Sequence, residues 1–438
     1  MRVVILISVF LSLGSEVVHG FSSKHAALHP HAVSKLSSEL HSAFRRASEK
    51  RLLSDPLTTP IEVIGEHSFI PPNFDAGDQR GPCPGLNALA NHGYISRHGV
   101  TSMVEVTAAI NEVWGMGLDL AGILAVMGTV FVGNPLSLDP GFSIGGETGS
   151  SENLLGNVFG LLGTPRGLLG SHNIIESDSS ITRDDLYVTG DASTLNLSKF
   201  NEWYKMSNGT GDYNMDLMAD LANIRFQETI ATNPNFYFGP FTGMIARNAG
   251  FLFAGRLFAN HSVENPTGVL TKEIIKSIFG VSGPEGNFKY NKGWERIPEN
   301  WYRRPVDYGL VDLNLDTLAM VAKYPQLGSI GGNTGTVNSF TGVDLGNLTG
   351  GVFNVETLLE GNNLLCFSFE VVKTLAPNSL STLFSVLDVP LQLITDTVGS
   401  ALLNFACPAL SDLTIGGQSF EKGIQKMFPG AAKSKGAF

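Results

Sequence analysis

Apolar residues recur at three-to-four spacing along much of this chain, and glycines punctuate the recurrence. The clearest stretch opens at Ser102, where Ser102 and Glu105 have capping-box spacing and Met103, Val106, Ile110, Val113 and Trp114 follow on one helical face. The pattern resumes at once with Leu120, Leu124, Met127 and Phe131, until Gly133 and Pro135 stop it. Further helices are predicted over 216–232, with Leu217, Leu221 and Ile224 on one face, and over 271–279, capped by Thr271 and ended by Gly280. One or two more are expected among the Leu, Val and Phe residues of 370–405. No βαβ rhythm and no series of evenly spaced alternating strands is present, so the predicted class is mostly α with long Gly-rich loops. The tetrapeptide Ser-Ile-Gly-Gly stands at 143 and again at 329, too short to establish a repeat.

Of 438 residues, 43% are apolar and 16% charged, enough to bury a large core. Lys and Arg number 29 against 40 Asp and Glu, a formal net charge of −11. That balance argues against nucleic-acid partners and against a polybasic membrane-surface protein, both of which need clustered positive charge. Met1-Arg2, an apolar run and the small-residue end Val18-His19-Gly20 read as a secretory signal peptide over residues 1–20, so an extracellular product is expected. Sequons at Asn196, Asn208, Asn260 and Asn347 agree with a secreted glycoprotein. The most apolar later stretch, 113–132, carries Asp119 and Gly115, Gly117, Gly122 and Gly128, which suits a core helix and not a membrane span. Residues 21–60 read as an N-terminal extension or pro-segment, 61–415 as the folded domain and 416–438 as a C-terminal tail, in a chain expected to be monomeric. His25, His29 and His31 in the extension lack Cys or carboxylate partners at ligand spacing, so a polar tail is expected there and not a metal site.

The three cysteines are an odd number for an oxidising compartment. Cys366 and Cys407 share an apolar C-terminal region and are predicted to pair, which the chain-entropy picture values at about 4 kcal/mol. Cys83 is then the free thiol. It sits in Arg80-Gly81-Pro82-Cys83-Pro84-Gly85-Leu86-Asn87, where Pro84 suits the first turn of a helix. The sulfur would face the free backbone N–H groups and positive dipole end of that helix, which stabilise a thiolate. Such a thiolate serves as a nucleophile, a redox centre or an axial haem ligand; otherwise Cys83 is a buried free thiol. No His/Asn constellation for a Cys-peptidase and no second nearby Cys for a redox dithiol is evident.

The stretch from Gly65-Glu66-His67 to Gly99, centred on Pro82-Cys83-Pro84, resembles the proximal signature of the fungal haem-thiolate peroxidases, the family of chloroperoxidase and the unspecific aromatic peroxygenases. The resemblance continues through Asp139-Pro140-Gly141-Phe142-Ser143-Ile144-Gly145-Gly146 and His172-Asn173-Ile174-Ile175-Glu176-Ser177-Asp178-Ser179-Ser180-Ile181-Thr182-Arg183-Asp184. It resumes at Ile224-Arg225-Phe226 and Ala231-Thr232-Asn233-Pro234-Asn235-Phe236, covering about 61–410 in the manner of the longer family members. It implies a single-domain, chloroperoxidase-like helical fold, haem b bound with Cys83 as fifth iron ligand between Pro82 and Pro84, and hydrogen peroxide as oxidant. It further implies that Glu176, Ser177 and Ser180 hold a divalent cation, Mg²⁺ or Mn²⁺, bridging to a haem propionate. Oxygen donors of that kind suit a hard cation, and Ser177 in place of the commoner Gly or His keeps a main-chain carbonyl ligand. The alternative for Glu176 and Asp178 is to cap a helix beginning near Ser179.

One part of the pattern departs from the family. Peroxide activation needs a distal acid–base. Where peroxygenases carry an Arg and, seven residues on, a Glu, this chain has Thr242 and Ala249. Arg247 and Glu264 are the expected substitutes, with Glu228 behind them; as a lone guanidinium, Arg247 could only stabilise charge. Three outcomes follow: a shifted loop restores the acid–base through Glu264 or another carboxylate, or the chain is a specialised oxidase of secondary metabolism, or it is a non-catalytic haem- or ligand-binding secreted glycoprotein. Among 27 Phe, the crowd at Phe236, Phe238, Phe241, Phe251, Phe253 and Phe258 is expected either to line a channel for apolar and aromatic substrates or to pack the core. His92 and His98 are expected to be surface or supporting groups, and His172 a loop or helix-start residue, with a distal base as its alternative.

Overall fold

The Pro84–Asn91 helix starts on Pro84, where a missing N–H costs nothing, and it is stopped by His92 before Gly93, whose φ is +68°. In the computed structural model the described residues are 55–434 apart from 135–138, 140, 149–164, 210, 350–354, 359, 365, 368–413 and 416. The leader over 1–20, the extension to residue 54 with its histidines, the helices expected over 370–405 and Cys407 therefore lie outside the described residues. Cys366 is buried and disulfide-bonded.

Helix Met103–Ala109 begins as its sequence predicts, with the Glu105 N–H on Ser102 Oγ at 3.1 Å. The Glu105 carboxylate takes the Thr101 hydroxyl at 2.7 Å. This helix widens into a π-helical turn at Ile110–Trp114, and Leu118–Met127 widens likewise at Gly128–Val132. A third wide turn, Thr242–Arg247, leads into helix Asn248–Leu257. All three widened turns contribute to one cavity, in keeping with the habit of π-turns to sit at functional sites.

Helix Met215–Thr232 confirms the 216–232 expectation but not its buried face. Ile224 is exposed, and Met218, Leu221, Ala222, Arg225, Phe226 and Thr229 turn inward. Arg225 can be buried because its guanidinium is met by the Ile181 and Lys199 carbonyls at 3.1 and 2.8 Å and by Glu202 and Glu228 at 2.7 Å. Helix Lys272–Ile278 carries its Thr271 cap and ends at Gly280 as expected. Phe226, Phe236, Phe238 and Phe340 form a ring cluster with centroids 5.1 to 6.1 Å apart, so this part of the Phe crowd is core.

Strands are short. Val100–Ser102 pairs antiparallel with Gly141–Ser143, and Gly331–Gly332 lies between Tyr237–Phe238 and Thr341–Gly342. The two Ser-Ile-Gly-Gly copies thus meet unrelated partners. The described residues all belong to one compact unit, and residues 417–434, expected to be part of a C-terminal tail, pack into it. Phe420, Ile424 and Phe428 are buried, and Gly430 lies so close to the Asn235 carbonyl that a Cβ there would stand 1.8 Å from its oxygen. Among the described residues no helix is long and apolar enough to cross a membrane.

Candidate active site

Local geometry pins Cys83 from both sides. The Asn87 side chain clamps Gly81, accepting its N–H at 3.0 Å and donating to its carbonyl at 2.9 Å. Arg80 grips Asn91 Oδ1 through Nε and Nη2 at 2.9 and 2.7 Å, and Asn91 Nδ2 donates to the Gly293 and Glu295 carbonyls at 2.7 and 2.8 Å. His92 is buried and structural: Nδ1 meets the His67 carbonyl at 2.7 Å, and Nε2 accepts the Ile297 N–H at 3.2 Å. His98, by contrast, pairs with Asp78 at 2.7 Å on the surface.

Cys83, flanked by Pro82 and Pro84, faces a cavity of about 330 Å³. It is half-buried and lines that cavity, and burial pushes the thiol up. The Leu86 and Gly85 N–H groups act on the sulfur in the opposite sense, although no side-chain cap bond closes there. Trp114 and Phe258 pack over the start of this helix, edge to face at 5.0 Å. Leu120, Ile123, Phe241, Ile245, Ala249 and Phe253 are among the walls.

Polarity is concentrated on one segment. Glu176, Ser177, Ser180 and Arg183 line the same cavity as Cys83, so the structure brings together the thiol and the acidic signature from sites about 93 residues apart in sequence. Glu176 Oε2 takes His172 Nδ1 at 2.5 Å, while the buried Ser177 Oγ has no hydrogen-bond partner. Burial opposes a charge on His172, but Glu176 and Asp178 outweigh it and raise its pKa to about 9. Asp178 turns away from the cavity: Oδ2 accepts from Asn233 at 2.8 Å and Oδ1 from the Leu186 N–H at 3.2 Å. Burial and the neighbouring Asp185 hold its carboxyl well above the usual range. The helix expected near Ser179 does not start there; Ser179 has φ +68°, and the next helix is Leu186–Thr189.

These residues fit the groups that the resemblance implies. A porphyrin needs apolar walls, a thiol on one side and a polar edge, and the cavity has each. Among the described residues no three His, Cys, Asp or Glu side chains gather into a metal site. A cation held by Glu176, Ser177 and Ser180 would therefore have one carboxylate and hydroxyl or carbonyl donors, leaving positions for oxygens of a ligand.

The expected distal substitutes are corrected. Glu264 lies on an exposed turn and is not among the cavity-lining residues, where Ser262 lowers its pKa. Glu228 pairs with Arg225 and Lys199. Arg247 borders the cavity, but its donors go to Ser179, Ala222 and Asn248, and its Cζ lies 4.3 Å from the Phe251 centroid. Burial lowers its pKa to about 9. Thr242 donates to the Glu176 carbonyl at 3.1 Å, and Ala249 forms wall. A lone arginine in a sequence carries no sign of which acceptors will claim it.

Of the sequons, Asn208 is exposed. Asn196 caps helix Leu197–Lys205 and donates to both Asp184 oxygens at 3.0 Å; Asn260 accepts the Tyr302 N–H at 2.7 Å. The Asn347 side chain lies outside the described residues. Sequence reasoning passed over Arg183 and Glu295, which are both buried with Nη2 and Oε1 3.7 Å apart; only the position of Arg183 three residues after Ser180 hinted at it.

A helical fold that turns a helix-start thiol into an apolar cavity with one acidic edge is that of a haem-thiolate peroxidase. The chain belongs to the family described as Peroxidase, family 2, which it matches over residues 67–306. It is 59% identical over 426 residues to Aromatic peroxidase fscJ of Fusarium equiseti, covering 97% of this chain and 98% of that protein. Dothistromin biosynthesis peroxidase dotB of Dothistroma septosporum is 41% identical over 391 residues, 89% and 92% of the two chains. An aromatic peroxygenase of Coprinellus radians is 38% identical over 191 residues, 42% of this chain and 69% of its own.

Proposed function

We propose that this peroxidase binds haem b through Cys83 and uses hydrogen peroxide to oxidise or oxygenate one apolar, aromatic substrate of secondary metabolism. The observation that carries the reading is the Cys83 sulfur at a helix start, facing a cavity whose polar edge is Glu176, Ser177, Ser180 and Arg183. When bound, the haem supplies the redox chemistry, with thiolate ligation favouring O–O cleavage. The chain's own contributions are separable. Gly85 and Leu86 favour the thiolate, and Glu176, Ser177 and Ser180 would hold a divalent cation, Mg²⁺ or Mn²⁺, beside the haem. Phe241, Phe253 and Ile245 exclude water and offer apolar area to an aromatic substrate.

A dedicated tailoring role is favoured over broad peroxygenase activity by Ala249, which is wall where the peroxygenase pattern has its acid–base, and by the near full-length match to a peroxidase named for dothistromin biosynthesis. Of the described cavity-lining residues only Cys83, Glu176, Arg183 and Arg247 are ionisable, so Glu176 is the one carboxylate there. Secretion rests on the 1–20 leader and on the exposed Asn208 sequon. The test is the optical spectrum of the purified protein, reduced under carbon monoxide. A strongly red-shifted Soret band, lost in Cys83→Ala, supports the reading, and a protein without haem overturns it.

A further inference from the structure

Arg183 is almost completely buried, yet most of its hydrogen-bonding capacity is unused. Nη1 donates to Thr182 Oγ1 at 3.0 Å, whereas Nε and Nη2 have no hydrogen-bond partner. Nε and Nη2 form the side edge of the guanidinium, where two parallel N–H groups can grip a carboxylate bidentately. This protein uses that edge elsewhere: Arg256 holds Asp316 through Nε and Nη2 at 2.8 and 2.7 Å. Beside Arg183 the nearest carboxylate is Glu295, with Oε1 3.7 Å from Nη2, too far for a hydrogen bond. Glu295 balances the charge without filling the edge. The side chain also lines the cavity that contains Cys83.

Leaving charged donors unpaired in an apolar cavity is costly, so the arrangement is that of a site built for an anion that enters the cavity. We infer that the Nε/Nη2 edge of Arg183 binds a carboxylate of the haem, separate from the cation site at Glu176, Ser177 and Ser180. This rests on the haem reading above and adds a specific anchor to it. Haem carries its two carboxylates on one edge of an apolar disc. An arginine three residues beyond Ser180 places a second anionic contact on the same polar segment of an otherwise apolar wall.

The experiment is haem transfer from the purified holoprotein to excess apomyoglobin, followed optically. Arg183→Gln should release haem on the order of ten- to a hundredfold faster than wild type, the range for a lost charged hydrogen-bond pair, with Arg183→Lys in between. The variant Arg183→Gln with Glu295→Gln removes both buried charges and carries the test if the single variant does not fold. It should release haem equally fast. Release at the wild-type rate from Arg183→Gln overturns the inference, as does a return to that rate in the double variant, because Arg183 would then only balance Glu295. Either result with an intact thiolate spectrum leaves the haem reading standing. A wild-type protein that holds no haem overturns both.

Discussion

Arg247 donates to Ser179 twice, from Nη2 to Oγ at 2.6 Å and from Nε to the carbonyl at 3.0 Å, and Ser179 is held at φ +68°. A serine in the left-handed region persists only when its surroundings over-determine it. Arg247 supplies that constraint and so shapes the turn between Glu176 and Ser180. The guanidinium that sequence reasoning offered to peroxide chemistry is committed to holding the acidic loop.

Arg247→Ala should therefore lower stability by about 3 kcal/mol, since buried acceptors on Ser179 and Ala222 lose their donors. Urea unfolding measures this. A loss below about 1 kcal/mol together with collapse of peroxide turnover would assign the residue to chemistry instead.

Gly81→Ala should disrupt the approach to Cys83, because a Cβ would stand 1.9 Å from the Ile144 carbonyl oxygen. A backbone contact cannot yield as a flexible side chain does, so the expected cost is about 3 kcal/mol. Gly122→Ala, where nothing lies within 4 Å of an added Cβ in helix Leu118–Met127, should instead stabilise by about 0.5–1 kcal/mol. Thermal denaturation of the two variants separates the cases.

His92 should make stability fall with acid. Burial lowers its pKa from the ordinary 6.5 to about 4, and a proton on Nε2 would face the Ile297 N–H. Between those values the unfolded chain binds more protons than the folded one, so stability is full above pH 6.5 and is lost as pH falls toward 4. The loss is on the order of 3 kcal/mol. Denaturant midpoints from pH 7 to 4 should show it in wild type and a shallower slope in His92→Gln.

Ala249→Glu should add a titratable group to the cavity wall at the position where the resembling peroxygenases carry one. General acid–base groups contribute typically 10²–10⁴-fold, so peroxide-dependent turnover should rise by at least about tenfold. Stopped-flow peroxide consumption is the measurement, and an unchanged rate would show that proton transfer does not limit this enzyme.

Local rules carried far in this chain. Cys83 at a helix start, the Ser102 and Thr271 caps and the stop at Gly280 depend on neighbours within four residues, and each stands as the spacing predicts. Ile224 failed because a helix face is chosen by what packs against it, and the buried Arg225 found its carbonyls in distant segments. The C-terminal segment looked like a tail because the residues that cover Phe428, around Tyr237 and Gly332, are about 100 to 190 positions away.

Sequence alone determined the class of the protein, its one free thiol and the acidic segment meant to work with it, since those signals are short-range patterns of residue type. Tertiary structure decided which charged side chains remain free to act. Arg247, Glu228 and Glu264 were spent on a loop, an ion pair and solvent, while Arg183 kept an open edge inside the cavity. A buried charge takes its role from the acceptors that folding brings within about 3 Å, and that set is a property of the packed chain.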